Sequence, residues 1–254
     1  YALNQKVNVL VEKPMAITVD EVEQMEAAAK ENGVKLCVMH NHKFDPQIKK
    51  AKELLAKGEI GDVLSVECRY FIDKEKMEHE QTNVADHWIQ SLPTGIFGEY
   101  APHMLYLVLP FLDKVTSAKT VKRKPSEGNT DNIFGMNVIL DAGDSFGNLI
   151  LYDNMDYAHF YVRVYGTKGA LHINMFDLTI MKEKQPSSMP RVLAKMYQTV
   201  EQSFQNIFST IVNILKILTG KLKRRPGHKA LIQQFYQSIA NNTELPTTSE
   251  EGKE

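Results

Sequence analysis

Lys13, Glu99 and His103 are the residues of this chain whose types and spacing could do chemistry. Lys13 sits in Glu12-Lys13-Pro14, which closes the apolar run Val7-Asn8-Val9-Leu10-Val11. About eighty residues later comes Gly95-x3-Glu99-x3-His103. Oxidising a secondary alcohol requires a hydride to leave carbon while a base takes the hydroxyl proton, and an imidazole titrating near neutrality suits the second task. On a helix Glu99 and His103 would share a face, where the carboxylate can orient the ring or hold it charged. Lys13 can stabilise negative charge developing on the substrate oxygen.

These residues need elements to hold them. An apolar run closed by a charged pair and a proline reads as a buried strand whose carboxyl end opens into a loop, the end at which open α/β sheets bind ligands. Thr18 with Glu21 three residues on forms a capping box, and Val22, Met25, Ala28 and Ala29 then predict one amphipathic helix up to Asn32-Gly33. Val34 to Met39 is the next short strand, so Val7 to Met39 is predicted to be a parallel, right-handed β-α-β unit. Pro46 starts a helix with Ile48, Ala51, Leu54 and Leu55 on one face and a stop at Gly58.

From Ile60 the texture changes to alternating segments separated by turn signals, the pattern of an antiparallel sheet. Strands are predicted near 63–72, 115–122, 132–140, 146–152, 160–165, 170–174 and 178–182. Turns are predicted at Asp141-Ala142-Gly143-Asp144 and Gly166-Thr167-Lys168-Gly169. Further helices are predicted over 99–109, with Pro102 in the first turn and Pro110 as the stop, and over 228–240.

Composition names no partner. The 254 residues are 43% apolar and 24% charged with a formal net charge of -1, which gives no global pull toward nucleic acid or lipid. Cys37 and Cys68 are the only cysteines, each in an apolar run, and are expected to be reduced and buried in a cytoplasmic protein. Neither a signal peptide nor an unbroken apolar stretch of about 18 residues is present. His40-x-His42 lacks a third ligand at a supporting spacing, so no metal site is expected.

The stretch from Val9 to Pro46, VLVEKPMAITVDEVEQMEAAAKENGVKLCVMHNHKFDP, closely resembles the end of the nucleotide-binding domain in the Gfo/Idh/MocA family, the NAD(P)-dependent oxidoreductases related to glucose-fructose oxidoreductase and inositol dehydrogenase. The resemblance implies an α/β remnant of a Rossmann domain over residues 1–45. An α+β domain over 46–254 would follow, with a large, mainly antiparallel sheet like that of dihydrodipicolinate reductase, serving substrate binding and oligomerisation. It implies NAD or NADP as cofactor and a sugar, cyclitol or sugar nucleotide as substrate.

On the same resemblance His103 is the acid/base, Lys13 the substrate-positioning lysine beside the nicotinamide, and Glu99 their carboxylate partner. Lys13-Pro14 would be a cis bond. Glu12, Lys13, Pro14, His42 and Lys43 would border the cofactor, and Trp88, seven residues before Gly95, would pack in the core or line the cleft. No G-x-G-x-x-G occurs between Tyr1 and Glu254, and with Tyr1 opening just before a strand and Leu245 to Gly252 resembling the family segment before its last helix, the chain reads as a fragment.

One departure stands out: the family usually places aspartate where this chain has Glu99. The extra methylene moves the carboxylate by roughly 1.5 Å, where a misplacement of about 1 Å can cost on the order of a hundredfold in rate. The alternative reading is therefore a catalytically degenerate relative that serves assembly or sits at a membrane.

The segment Arg191 to Arg225 is unusual for the family. Leu193, Met196, Val200, Phe204, Ile207, Ile211, Ile214 and Leu218 recur every three or four residues, and Lys221-Leu222-Lys223-Arg224-Arg225 follows. This predicts a long helix packed across the sheet or onto a second subunit, or else an interfacial helix resting on an anionic membrane.

Overall fold

A computed structural model describes residues 1–73, 92, 95–124, 134–184, 189–223 and 225–253. In chain order the elements are β1 (Val9–Val11), α1 (Val19–Glu31), β2 (Leu36–Val38), α2 (Pro46–Ala56), β3 (Val63–Asp73), α3 (Ile96–Val108), β4 (Ser117–Arg123), β5 (Gly135–Ala142), β6 (Ser145–Met155), β7 (His159–Gly166), β8 (Gly169–Asn174), β9 (Thr179–Glu183), α4 (Arg191–Leu218), α5 (Pro226–Ala240) and α6 (Glu250–Lys253). They form two compact units. Tyr1–Asp45, Ala85–Tyr106 and Arg225–Glu254 make the first, and Pro46–Val84 with Leu107–Arg224 the second.

In the first unit β1 and β2 pair in parallel, Val11 opposite Val38, with α1 as the connection. The predicted capping box is present: the Glu21 backbone N–H donates to Thr18 Oγ1, and the Thr18 N–H donates back to Glu21 Oε2. The two small strands have apolar side chains on both faces. Val22 and Ala29 of α1 pack with Met15, Leu36 and Val38, while Leu231 and Phe235 of α5 pack with Cys37 and Met39. Cys37 and Cys68 are both free and buried. Helix α3 starts three residues before its predicted first residue, so Pro102 lies inside it rather than in its first turn.

The second unit is a seven-stranded sheet in the order β4-β5-β6-β3-β7-β8-β9. Among the described residues only β3 with β6 is parallel in this sheet, and its other pairings are antiparallel. The sheet is thus mixed and mostly antiparallel. Alternation along the strands decides its faces: Val66, Cys68, Tyr70 and Ile72 of β3 and Phe160, Val162 and Val164 of β7 are buried, whereas Glu67, Arg69, Phe71, His159, Tyr161 and Arg163 on the opposite face are half-buried.

Helix α4 runs beside β9, the edge strand, and does not lay its apolar seam on the sheet. Gln205 Oε1 accepts from the Lys182 N–H at 2.9 Å while Gln205 Nε2 donates to the Lys182 carbonyl at 3.1 Å, and Asn213 Nδ2 donates to the carbonyls of Asp177 and Leu178. An edge strand offers unpaired backbone groups, and on β9 the polar side of α4 satisfies those of Lys182. The apolar side is left exposed, with Val200 at 67% and Phe204 at 68%. No described helix is long and apolar enough to cross a membrane.

Candidate active site

The loop after β1 holds Lys13 by burying its stem, leaving the side chain 6% exposed, and the Lys13-Pro14 bond is cis. Its ammonium donates to the backbone carbonyl of Glu99 at 2.9 Å and to Glu99 Oε1 in the first turns of α3. The glutamate therefore reaches the lysine despite its extra methylene. Its second oxygen, Oε2, is buried without a hydrogen-bond partner among the described residues. Such an atom calls for a donor, and a substrate hydroxyl or an amide N–H would supply one.

One turn on, His103 Nδ1 lies 2.6 Å from the hydroxyl of Tyr106. That hydroxyl donates to Asn41 Oδ1 at 3.2 Å and accepts from the His42 backbone N–H at 3.4 Å. A phenol has a single proton. With it given to Asn41, the short contact to His103 is an Nδ1–H donation, the tautomer in which Nε2 is the basic nitrogen. Burial above all, then the charge of Lys13 and those of His42, His40 and His228, holds the imidazole well below its ordinary value of 6.5. His103 is thus neutral at pH 7 and able to accept a proton.

The turn after β2 supplies the rest. His40 is buried and stacked on the Tyr106 ring at 4.4 Å, and burial, helped by the Lys43 charge, lowers it to about 4. His42 meets Asp45 Oδ2 through Nδ1 at 2.7 Å and sets its ring edge-on to His103 at 5.1 Å between centroids. Asp45 Oδ1 in turn accepts from the Gly227 N–H at 2.9 Å at the start of α5. Gly227 has no room for a Cβ, which would lie 2.3 Å from the Asn41 carbonyl oxygen and 2.5 Å from Asp45 Oδ1. Tyr106, Asp45 and Gly227 support the site without having drawn attention as site residues in the sequence, and Asn41 joins them from the turn that also carries His42 and Lys43.

Of the sequence-predicted residues, Lys13, Glu99, His103 and His42 converge here, with Pro14 half-buried beside Lys13. Glu12 is exposed at the strand end. Lys43 turns its ammonium to Glu251 Oε1 at 2.6 Å. Trp88 lies outside the described residues. No group of three or more His, Cys, Asp or Glu able to hold a metal ion occurs among the described residues.

Two family models match the chain. Residues 1–40 match the model described as "Oxidoreductase family, NAD-binding Rossmann fold", and residues 48–172 match the GFO/IDH/MocA C-terminal domain. The chain belongs to the GFO/IDH/MocA oxidoreductase family. Oxidoreductase P35 of Formosa agariphila is 26% identical over 187 residues, which are 72% of this chain and 57% of that protein. The scyllo-inositol 2-dehydrogenase (NADP(+)) IolW of Bacillus subtilis is 36% identical over 63 residues, 25% of this chain and 18% of that protein. The family member described here therefore spans between 18% and 57% of the length of these two relatives.

Solved structures show the same fold. The WlbA dehydrogenase of Bordetella pertussis, in complex with NADH and UDP-GlcNAcA, superposes with a TM-score of 0.72 at 17% identity, covering 99% of this chain and 68% of that one. An oxidoreductase of Agrobacterium radiobacter in complex with NAD+, L-tartaric acid and magnesium gives 0.71 at 13% identity, with the same coverage of 99% and 68%.

Proposed function

We propose that this GFO/IDH/MocA protein is an NAD(P)-dependent oxidoreductase acting on a CH–OH group of a sugar, cyclitol or sugar nucleotide. The observation that carries the reading is the buried Lys13 ammonium tied to Glu99 in the unit that also holds a neutral His103. Residues 1–45 serve in this reading as the end of the nucleotide domain and 46–254 as the substrate and assembly domain.

The residues present fit the nicotinamide end of such a cofactor. The loops after two neighbouring parallel strands, Glu12 to Met15 and Met39 to Asp45, lie where open α/β sheets bind ligands, and Glu99 Oε2, without a partner among the described residues, suits an amide or hydroxyl donor. Glu12, Lys13, Pro14, His42 and Lys43 are the residues proposed to border it. Bound NAD(P) supplies the hydride acceptor or donor.

In the oxidising direction His103 Nε2 takes the hydroxyl proton as the carbon–hydrogen bonding pair leaves as hydride. Lys13 donates a hydrogen bond to the substrate oxygen and offsets its developing negative charge, and Glu99 fixes the direction of the lysine. In reverse His103 returns the proton. The competing reading, a degenerate relative with an assembly role, draws on glutamate standing in place of the family's usual aspartate, but the Glu99 carboxylate still reaches its lysine. Self-association through the half-buried sheet face around Arg69 and Tyr161 is part of the proposal and is read by light scattering.

The test is nicotinamide absorbance with the full-length protein, NAD and NADP each offered with a panel of polyols, sugars and sugar nucleotides. Turnover with at least one pair is expected. Failure of the full-length protein to bind either nucleotide would end the oxidoreductase reading.

A further inference from the structure

Helix α4 is amphipathic with its faces reversed relative to the usual arrangement, in which a surface helix turns its apolar stripe to the core. Ala194 is its only buried residue, and Gln198, Gln205 and Asn213 bond to the edge of the sheet. The opposite half of the helix surface is apolar and bare: Leu193, Met196, Ile207 and Leu218 are 56%, 64%, 61% and 76% exposed. Twenty-eight residues give a strip about 42 Å long, far more than the scattered apolar residues a surface ordinarily carries.

Charge says what covers it. Residues 191–225 hold seven basic side chains and one acidic one, Glu201, a net of +6, so the other 219 residues together carry -7. Arg191 and Lys195 mark the amino end of α4, and Lys216, Lys221 and Lys223 the carboxyl end, all exposed. Parallel or antiparallel, a second copy laid on this face would set basic ends against basic ends. A cleft beside the carboxyl end repeats the theme. Lys50, Lys216 and Lys221 line it with Phe208, Val212 and Leu222, and no carboxylate does, although Lys50 also meets Glu53 at 3.1 Å.

We propose that α4 is a membrane-binding face that lies in the plane of an anionic lipid bilayer surface, its apolar half at the acyl boundary and its flanking lysines and arginines among the anionic headgroups. Wide apolar strips with basic flanks bind in this way, by buried apolar area together with electrostatic attraction. The inference stands apart from the catalytic reading, since none of its residues belongs to the site around Lys13.

Flotation of the full-length protein with phosphatidylglycerol-containing vesicles tests it, with pure phosphatidylcholine vesicles as comparison. Co-flotation with the anionic vesicles is expected, reduced about tenfold or more on the zwitterionic ones and in the Lys221→Glu/Lys223→Glu variant. Ile207→Glu/Ile214→Glu is expected to abolish it while leaving the far-ultraviolet dichroism unchanged, because both side chains are exposed. The proposal is overturned by absence of co-flotation, by flotation that survives Ile207→Glu/Ile214→Glu, or by light scattering in which that variant converts an oligomer to a smaller species, which would assign the face to a second copy.

Discussion

Lys13 donates twice to Glu99, to its backbone carbonyl and to its carboxylate, across 86 positions of sequence. The carbonyl contact is independent of the side chain, so shortening residue 99 does not cut the lysine loose. Glu99→Asp is expected to fold normally and to change kcat/KM by about tenfold to a hundredfold, since the carboxylate withdraws by one bond length. Glu99→Ala leaves a buried cation half-paired and should cost about 3 kcal/mol in urea denaturation.

The Tyr106 hydroxyl stands 2.6 Å from His103 Nδ1, where it selects between the two tautomers of the ring. Tyr106→Phe removes the acceptor of the Nδ1–H and should redistribute the tautomers, visible as a change in the imidazole nitrogen NMR shifts. A fall in kcat of about tenfold to a hundredfold with KM little changed is expected for a loss confined to proton transfer. A merely structural tyrosine would alter stability and leave the tautomer ratio as it was.

The depressed imidazole has a signed consequence. A base must be unprotonated to act, and His103 titrates below 6.5, so kcat/KM should stay level as pH falls through 6.5 and decline only at lower pH. Replacing the lysine by Lys13→Met deletes the largest charge contribution, leaving burial and the neighbouring histidines, and the NMR titration of His103 should move upward toward 6.5. A downward movement would refute the electrostatic assignment.

His40 links the same turn to stability. Its folded value of about 4 lies below 6.5, so between those values the unfolded chain binds the proton more strongly and stability rises with pH. The contribution is complete above 6.5 and is lost as pH falls toward 4, an effect of about 3 kcal/mol at most. Urea midpoints across that range should show it, and His40→Phe, which keeps a ring against Tyr106, should flatten the dependence.

Much of this was legible in the sequence because it is local. Thr18 and Glu21 mark their helix by chemistry within one turn, and the alternation along β3 and β7 separates the faces of the sheet by itself. Lys13, Glu99 and His103 stood out by residue type and neighbours, but the Tyr106–Asn41 bond joins positions 65 apart that no spacing rule connects. Gly227 was equally silent, since only the folded turn shows that Asn41 and Asp45 fill the space of its missing side chain. The seam of α4 was plain as a period, yet its direction was not. Periodicity says that a helix has two faces, and the backbone of β9 and of the turn before it decides that Gln205 and Asn213 face inward.

The central claim is that His103 Nε2 exchanges the substrate proton while Lys13 steadies the oxygen. Single-turnover hydride transfer, followed by nicotinamide absorbance in the full-length protein with its best substrate, measures this most directly. His103→Ala and Lys13→Met should each slow the step by about a hundredfold or more while nucleotide binding persists. Hydride transfer at the unaltered rate in either variant would contradict the account.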